Sequence, residues 1–188
     1  MSVTLPRRNT PDAGFALLDA VMASALLVIA ASGTAQLMAV ATRATSVARH
    51  GTLGTIIAAQ KMEQLGSLAW RTDLTGAISD TTTNLSVEPA STGGPGLMPS
   101  PAGALDRNIV PYVDHIDGAG RWLGSSAVPP AGAVYTRRWS VTRLATDPDD
   151  TLVLRVRVLS AYASTGPGRQ AGGIVDVLLV SLKTRRSR

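Results

Sequence analysis

Residues 12–33 read DAGFALLDAVMASALLVIAASG, and one carboxylate, Asp19, stands near the start of a run that is otherwise small and aliphatic. A charged side chain at the centre of a membrane-spanning helix costs about 2.5–3.5 kcal/mol on insertion scales. A lone acid in such a run therefore needs a partner or a purpose. From residue 20 to residue 42 there follow 23 consecutive uncharged residues, mostly Ala, Val, Leu, Ile and Met. As a helix rising about 1.5 Å per residue they span roughly 35 Å, enough for the hydrocarbon core of a bilayer. No proline occurs between Pro11 and Pro89, so nothing breaks a helix that starts near Gly14.

The helical spacing continues beyond the membrane-length run. Val40, Ala44, Val47, Gly51, Gly54, Ala58, Met62, Leu65 and Ala69 recur at intervals of three and four, which makes one stripe of an amphipathic helix. Arg43, Arg49, Lys61 and Glu63 fall mostly off that stripe, which predicts a solvated face. Gly51 and Gly54 each cost about 1 kcal/mol relative to Ala in a helix, so their turn is either closely packed or frayed. The expectation is one long helix, membrane-buried first and amphipathic afterwards, ending near SLAWRTDLTG at residues 67–76.

The character then changes twice. Residues 76–111 are rich in Gly, Pro, Ser and Thr without an apolar period, which reads as a long surface loop holding at most a short strand at 85–87. Asn84-Leu85-Ser86 matches the glycosylation sequon, a pattern short enough to arise by chance. Beyond Pro111 the apolar residues alternate. AVYTRRWSVTRLA (133–145) puts Tyr135, Trp139 and Val141 on one face of a strand. TLVLRVRVLS (151–160) sets Leu152, Leu154, Val156 and Val158 against Arg155 and Arg157. TDPDD (146–150) is turn chemistry and predicts a hairpin between the two. GGIVDVLLVSLKT (172–184), after the loop STGPGRQAGG, reads as a third strand with two candidate inward faces: Val175, Val177 and Leu179, or Leu178, Val180 and Leu182. A three-strand meander leaves an apolar face that the amphipathic half of the helix is placed to cover.

Chemistry-bearing groups are sparse. The chain has no cysteine, which removes disulfides, thiolate nucleophiles and Cys-based zinc sites. The net charge of +5 is spread thinly, and aromatics make up only 4% of the 188 residues. No basic patch interleaved with aromatics appears, so nucleic acid is not an expected partner. The one conceivable DNA contact is the tail, through Lys183, Arg185, Arg186 and Arg188. His50 lies alone on the helix. Asp114, His115 and Asp117 in DHIDGAG have the spacing of an ordinary turn. Asp147, Asp149 and Asp150 offer oxygen atoms of the kind calcium takes, again in a turn. GAGRWLG is not followed by a helix that would make it a phosphate loop. No enzyme activity, metal or cofactor is expected.

Three readings compete for residues 1–42: a secretory signal peptide cut near Ala31–Ser32, a plain signal anchor, and a processed filament subunit. The first two give no account of Asp19. For the third, a short basic leader ending in Gly14, then Phe15, an aliphatic stretch and the acid Asp19, resembles the type IV prepilin processing motif. AAQKMEQLGSLAW (58–70) and the later strands are similar to minor pilins and minor pseudopilins, of the V-type and I-type respectively. The resemblance implies that a prepilin peptidase cuts after Gly14, that Phe15 becomes an N-methylated N-terminus, and that Asp19 serves processing and subunit packing. The family usually carries Glu at that position; Asp keeps the charge with one methylene less. Cleavage would place an α-amino group one helical turn from Asp19, and a buried cation and anion offset each other's burial. Ala20, Ala23, Ala30 and Gly33 would let neighbouring helices approach closely in lipid.

The expected class is therefore α+β, a pilin-like long helix packed on a small antiparallel sheet. Its parts are a leader (1–14), a membrane or filament-core helix (15–42), an amphipathic helix (43–75), a variable loop region (76–132) and a C-terminal sheet (133–188). The resemblance implies a single-pass bacterial inner-membrane protein with its C-terminal domain periplasmic, entering or priming a type IV pilus or a type II secretion pseudopilus. Its partners would be other pilins or pseudopilins and the prepilin peptidase. The rival reading is a signal-anchored or secreted β-rich binding domain.

Overall fold

The computed structural model describes residues 13–70, 80, 82–161 and 174–185. Residues 1–12 of the expected leader, residues 71–79, the whole STGPGRQAGG loop, and Arg186 and Arg188 lie outside the described residues. Among these residues one helix, α1 (Ala13–Ser67), is followed by seven strands: β1 (Thr83–Asn84), β2 (Ser91–Thr92), β3 (Val113–Ile116), β4 (Trp122–Gly124), β5 (Tyr135–Leu144), β6 (Asp147–Ala161) and β7 (Ile174–Thr184). The chain divides into two compact units, Met1–Ser46 and Val47–Arg188.

In the first unit the helix carries an exposed apolar surface. Leu17, Leu18, Val21, Met22, Leu26, Leu27, Val28, Ile29, Leu37, Met38 and Val40 are all exposed. Ser24, Ser32 and Thr34 turn their hydroxyls back onto carbonyls three residues earlier, and Thr42 and Thr45 onto carbonyls four earlier. Every polar side chain that bonds its own helix in this way presents less unpaired polarity to an apolar surrounding.

The second unit is the long helix packed on an antiparallel sheet. Strand order is β4-β3-β5-β6-β7, every neighbouring pair antiparallel, with β1 and β2 as a separate two-stranded ribbon. Among the described residues the sheet thus has five strands where the alternation beyond residue 133 supplied three. The other two, β3 and β4, lie past the Gly-, Pro-, Ser- and Thr-rich stretch of 76–111 but inside the expected variable loop region of 76–132. The alternation itself holds: Tyr135, Trp139 and Val141 of β5 and Leu152, Leu154, Val156 and Val158 of β6 line the core with Ile57, Ala58 and Leu65 of α1. In β7 it is Val177 and Leu179 that pack inward, while Leu178, Val180 and Leu182 stay exposed. The hairpin turn falls at Ala145–Thr146 and shares only Thr146 with the expected TDPDD, because Asp147 to Asp150 already belong to β6. Leu85, Leu97 and Ala104, within the expected surface loop, and Tyr112, in the expected variable region, are buried in the same core. Gly94 there has a close approach as its reason: a Cβ would meet the Asn84 Cα at 2.2 Å.

The buried stripe of the helix is Gly54, Ile57, Ala58, Lys61 and Leu65, and Leu68, just past its end, is buried as well. Val40, Ala44 and Ala69 from the expected stripe are exposed, and Lys61, expected on the solvated face, is instead inside. Gly54 packs on this face, whereas Gly51 has open space where a side chain would begin. No basic residue sits in the last turn of α1, but Lys183 of β7 donates from Nζ to the Gly66 carbonyl oxygen at 2.6 Å. A cation there satisfies a terminal carbonyl and complements the helix dipole. Lys183→Met is expected to lower stability by about 0.5–1 kcal/mol. Chemical denaturation followed by tryptophan fluorescence checks this, and an unchanged midpoint would remove the cap from the account.

Candidate functional site

Gly14 and Phe15 lie within the first turn of α1, and Asp19 follows one turn later with its side chain exposed. Asp19 is the only charged residue between Gly14 and Thr42. The helix meets length and composition requirements for crossing a membrane, and this single N-terminal apolar helix fits a single-pass or signal-anchored topology. Exposed Leu, Ile, Val and Met in such number are at odds with water. The surface belongs against lipid or against other apolar helices.

Other groups singled out in the sequence are dispersed by strand geometry. Asp114 and His115 are consecutive in β3, so they face opposite sides of the sheet. His115 contacts the Thr136 hydroxyl through Nδ1 at 3.2 Å and the Ser126 carbonyl oxygen through Nε2 at 2.9 Å. Asp117 sits in the following turn, accepting from the backbone N–H groups of Ala119 and Arg121 and from Arg121 Nε. The Arg121 backbone N–H bond, opposed by burial and helped by the Arg121 side chain, holds its carboxyl below the usual range. The later carboxylates are engaged as well: Asp147 accepts from Thr151, Asp149 pairs with Arg143 and Asp150 with Arg185. Among the described residues no group of three His, Asp or Glu side chains is placed to hold a metal. His50 Nδ1 lies 2.7 Å from the Tyr135 hydroxyl, in the second unit. Of the basic tail, Lys183 and Arg185 have partners within the fold, and Arg186 and Arg188 fall outside the described residues.

The second unit holds a buried charge cluster that the sequence reading missed. Arg137 and Asp114 are directly opposite in the β5–β3 register, and their side chains meet in a two-pronged pair: Nε to Oδ1 at 2.9 Å and Nη2 to Oδ2 at 2.7 Å. Lys61 reaches the same Oδ2 from the helix at 3.0 Å, donates to the Leu85 carbonyl oxygen, and lies 4.5 Å from the Trp139 ring centroid. Arg137 Nη1 donates to the Ile57 carbonyl oxygen at 3.1 Å. Exposure is 1% for Lys61, 0% for Asp114 and 2% for Arg137. Two cations thus share one anion in the core. Burial pushes the Lys61 ammonium down to about 8, with Asp114 opposing the shift and Arg137 adding to it. The cluster joins four parts of the unit: helix α1, the residue after β1, β3 and β5. One signal was present in the sequence. Lys61 stands three residues after Ala58 and four before Leu65, in phase with the buried stripe.

No protein-family model, curated protein or solved structure matches the chain. What stands on the fold is a long helix packed on an antiparallel sheet, an architecture compatible with a membrane-anchored or filament-forming subunit.

Proposed function

We propose that the chain is a minor pilin or minor pseudopilin, a subunit that is cut by a prepilin peptidase, N-methylated, and assembled into or used to prime a type IV pilus or secretion pseudopilus. Its work is assembly and not catalysis. The observation that carries this reading is Asp19: one exposed acid, five residues after Gly14, on an apolar helix that runs unbroken to Ser67. A signal anchor has no use for that charge, and insertion alone opposes it. A filament subunit does, since the α-amino group freed on Phe15 would lie one turn away, in its own chain or a neighbour's. In this reading Gly14 and Phe15 are the processing junction, the inner membrane holds the subunit before assembly, and the apolar helix face contacts neighbouring pilins or pseudopilins.

Co-expression of the full-length chain with a prepilin peptidase tests it. Mass spectrometry is expected to find a mature chain that begins at N-methyl-Phe15, and Gly14→Val is expected to block the cut. An intact N-terminus, or a cut near Ala31, would return the chain to the signal-anchored or secreted binding-domain reading.

A further inference from the structure

The two edges of the five-stranded sheet are built differently. The β4 edge is three residues long, its pairing with β3 is interrupted by a register shift at His115/Ile116, and it ends on Gly124 at φ 140°. A short, irregular edge of this kind resists further pairing. The β7 edge is eleven residues long, contains no proline, and pairs in unbroken register with β6 from Ile174 to Thr184. Among the described residues β6 is its only strand partner. Its two charges do not guard it, because Asp176 is bound to Arg157 and Lys183 to the Gly66 carbonyl. On the sheet face away from the helix β7 presents Leu178, Val180 and Leu182 at 53%, 57% and 60% exposure.

Charge on that face is also unbalanced at one point. Arg157 takes both nearby carboxylates, Asp106 at 3.2 Å and Asp176 at 2.6 Å. Arg138 is held by the Asn108 side chain and the carbonyl oxygens of Leu105 and Asp106. Arg155, in register with Val180, has only the Thr142 hydroxyl at 3.5 Å and no carboxylate among the described residues.

We propose that the β7 edge is a docking site for an extended segment of another polypeptide, added as a sixth strand, whose outward side chains are apolar around a central carboxylate. The backbone row supplies the pairing and the Leu178–Val180–Leu182 stripe the apolar contact, as in other strand additions. The added strand would lie about 4.8 Å beyond β7 and twice that from β6. An Arg155 side chain leaning across Val180 meets a Glu side chain reaching back over that distance. This inference stands apart from the filament reading, since it uses neither the N-terminal helix nor its processing.

The test uses the full chain in detergent micelles and a labelled eleven-residue peptide, Thr-Val-Thr-Val-Thr-Glu-Thr-Val-Thr-Val-Thr, read by fluorescence anisotropy. Binding is expected, weakened about fivefold or more when the peptide's Glu becomes Lys. Arg155→Gln is expected to erase the difference between the two peptides. Val180→Glu, at an exposed position, is expected to abolish binding of the Glu peptide, because the new carboxylate takes Arg155 and repels the peptide's own, while leaving the denaturation midpoint unchanged. No binding by the parent chain at millimolar peptide overturns the proposal. So does equal binding of the Glu and Lys peptides by the parent, or undiminished binding of the Glu peptide by the Val180→Glu chain. Sedimentation that shows the parent, but not Val180→Glu, to be a dimer identifies a second copy as the occupant and overturns the acidic partner.

Discussion

Asp114→Asn is expected to lower the stability of the sheet-bearing unit by about 3–5 kcal/mol. The substitution keeps the shape of the side chain and removes its charge. Lys61 and Arg137, which share Asp114 Oδ2 at 3.0 and 2.7 Å, would then be two cations in the core with no counter-ion. Removing one partner of a buried ion pair is costly for that reason, even where the intact pair contributes little. Against a total of about 5–15 kcal/mol for a typical domain, the loss removes a large share of the folding free energy. Urea denaturation followed by tryptophan fluorescence measures it, and Trp139, against which Lys61 lies, is itself in the core. The double variant Lys61→Met/Asp114→Asn is expected to regain part of the loss, because one of the two stranded cations is gone. A loss below about 1 kcal/mol for Asp114→Asn, with no coupling in the double variant, would show that the carboxylate's charge is not what holds the cluster.

The second large effect concerns pH, and its sign is unusual. Burial holds the Lys61 pKa at about 8 in the folded chain, against 10.5 for an ordinary lysine. Between those values the folded state has released the proton and the unfolded state still holds it. Stability rises with pH wherever the unfolded state binds more protons, so this group makes the fold more stable as pH increases from about 8. The full shift corresponds to ~3 kcal/mol. Above pH 10 the buried tyrosines work the other way. Burial raises the pKa of Tyr112 and of Tyr135, so each ionises first in the unfolded chain and lowers stability there. The rise is therefore expected between about pH 8 and 10, in denaturation curves measured at half-unit steps. Lys61→Met is expected to flatten it. At pH 7 the same variant is expected to be mild, within about 1 kcal/mol of the parent, because Asp114 keeps its two-pronged Arg137 partner and a buried ammonium is gone. A parent curve that is flat or falling from pH 8 to 10 would contradict the account.

Most of what was legible in the sequence rests on period and composition. The apolar run after Asp19 is long enough, and free enough of charge, that any helix containing it exposes or buries apolar surface along its whole length. The strands of β5 and β6 were readable because Tyr135, Trp139, Val141 and the Leu152–Val158 series alternate without interruption, and a period of two has one structural meaning. The inward face of β7 was not readable. Leu178, Leu179 and Val180 form an apolar block, so both phases fit, and the choice fell to the register with β6, which sets Val177 opposite Val158 and Leu179 opposite Val156 on the core face. The strands β3 and β4 escaped notice because VDHI and WLG are too short to show any period.

The charge cluster marks where local reasoning stopped. A lysine on an amphipathic helix and an arginine in a strand each read as solvated when taken alone, and that is the usual fate of such residues. Their burial depends on Asp114, which is 53 residues from Lys61 and 23 from Arg137 along the chain. The sequence by itself determined that the chain has a membrane-length helix bearing one acid, an amphipathic continuation and an alternating C-terminal sheet, because each follows from spacing between near neighbours. Only the tertiary structure decided that Lys61 and Arg137 lie inside, and that among the described residues the sheet has five strands with β7 an apolar edge paired to β6 alone. Those outcomes depend on which distant segments meet, and ion-pair energies in a dry core depend on partners that no local pattern specifies.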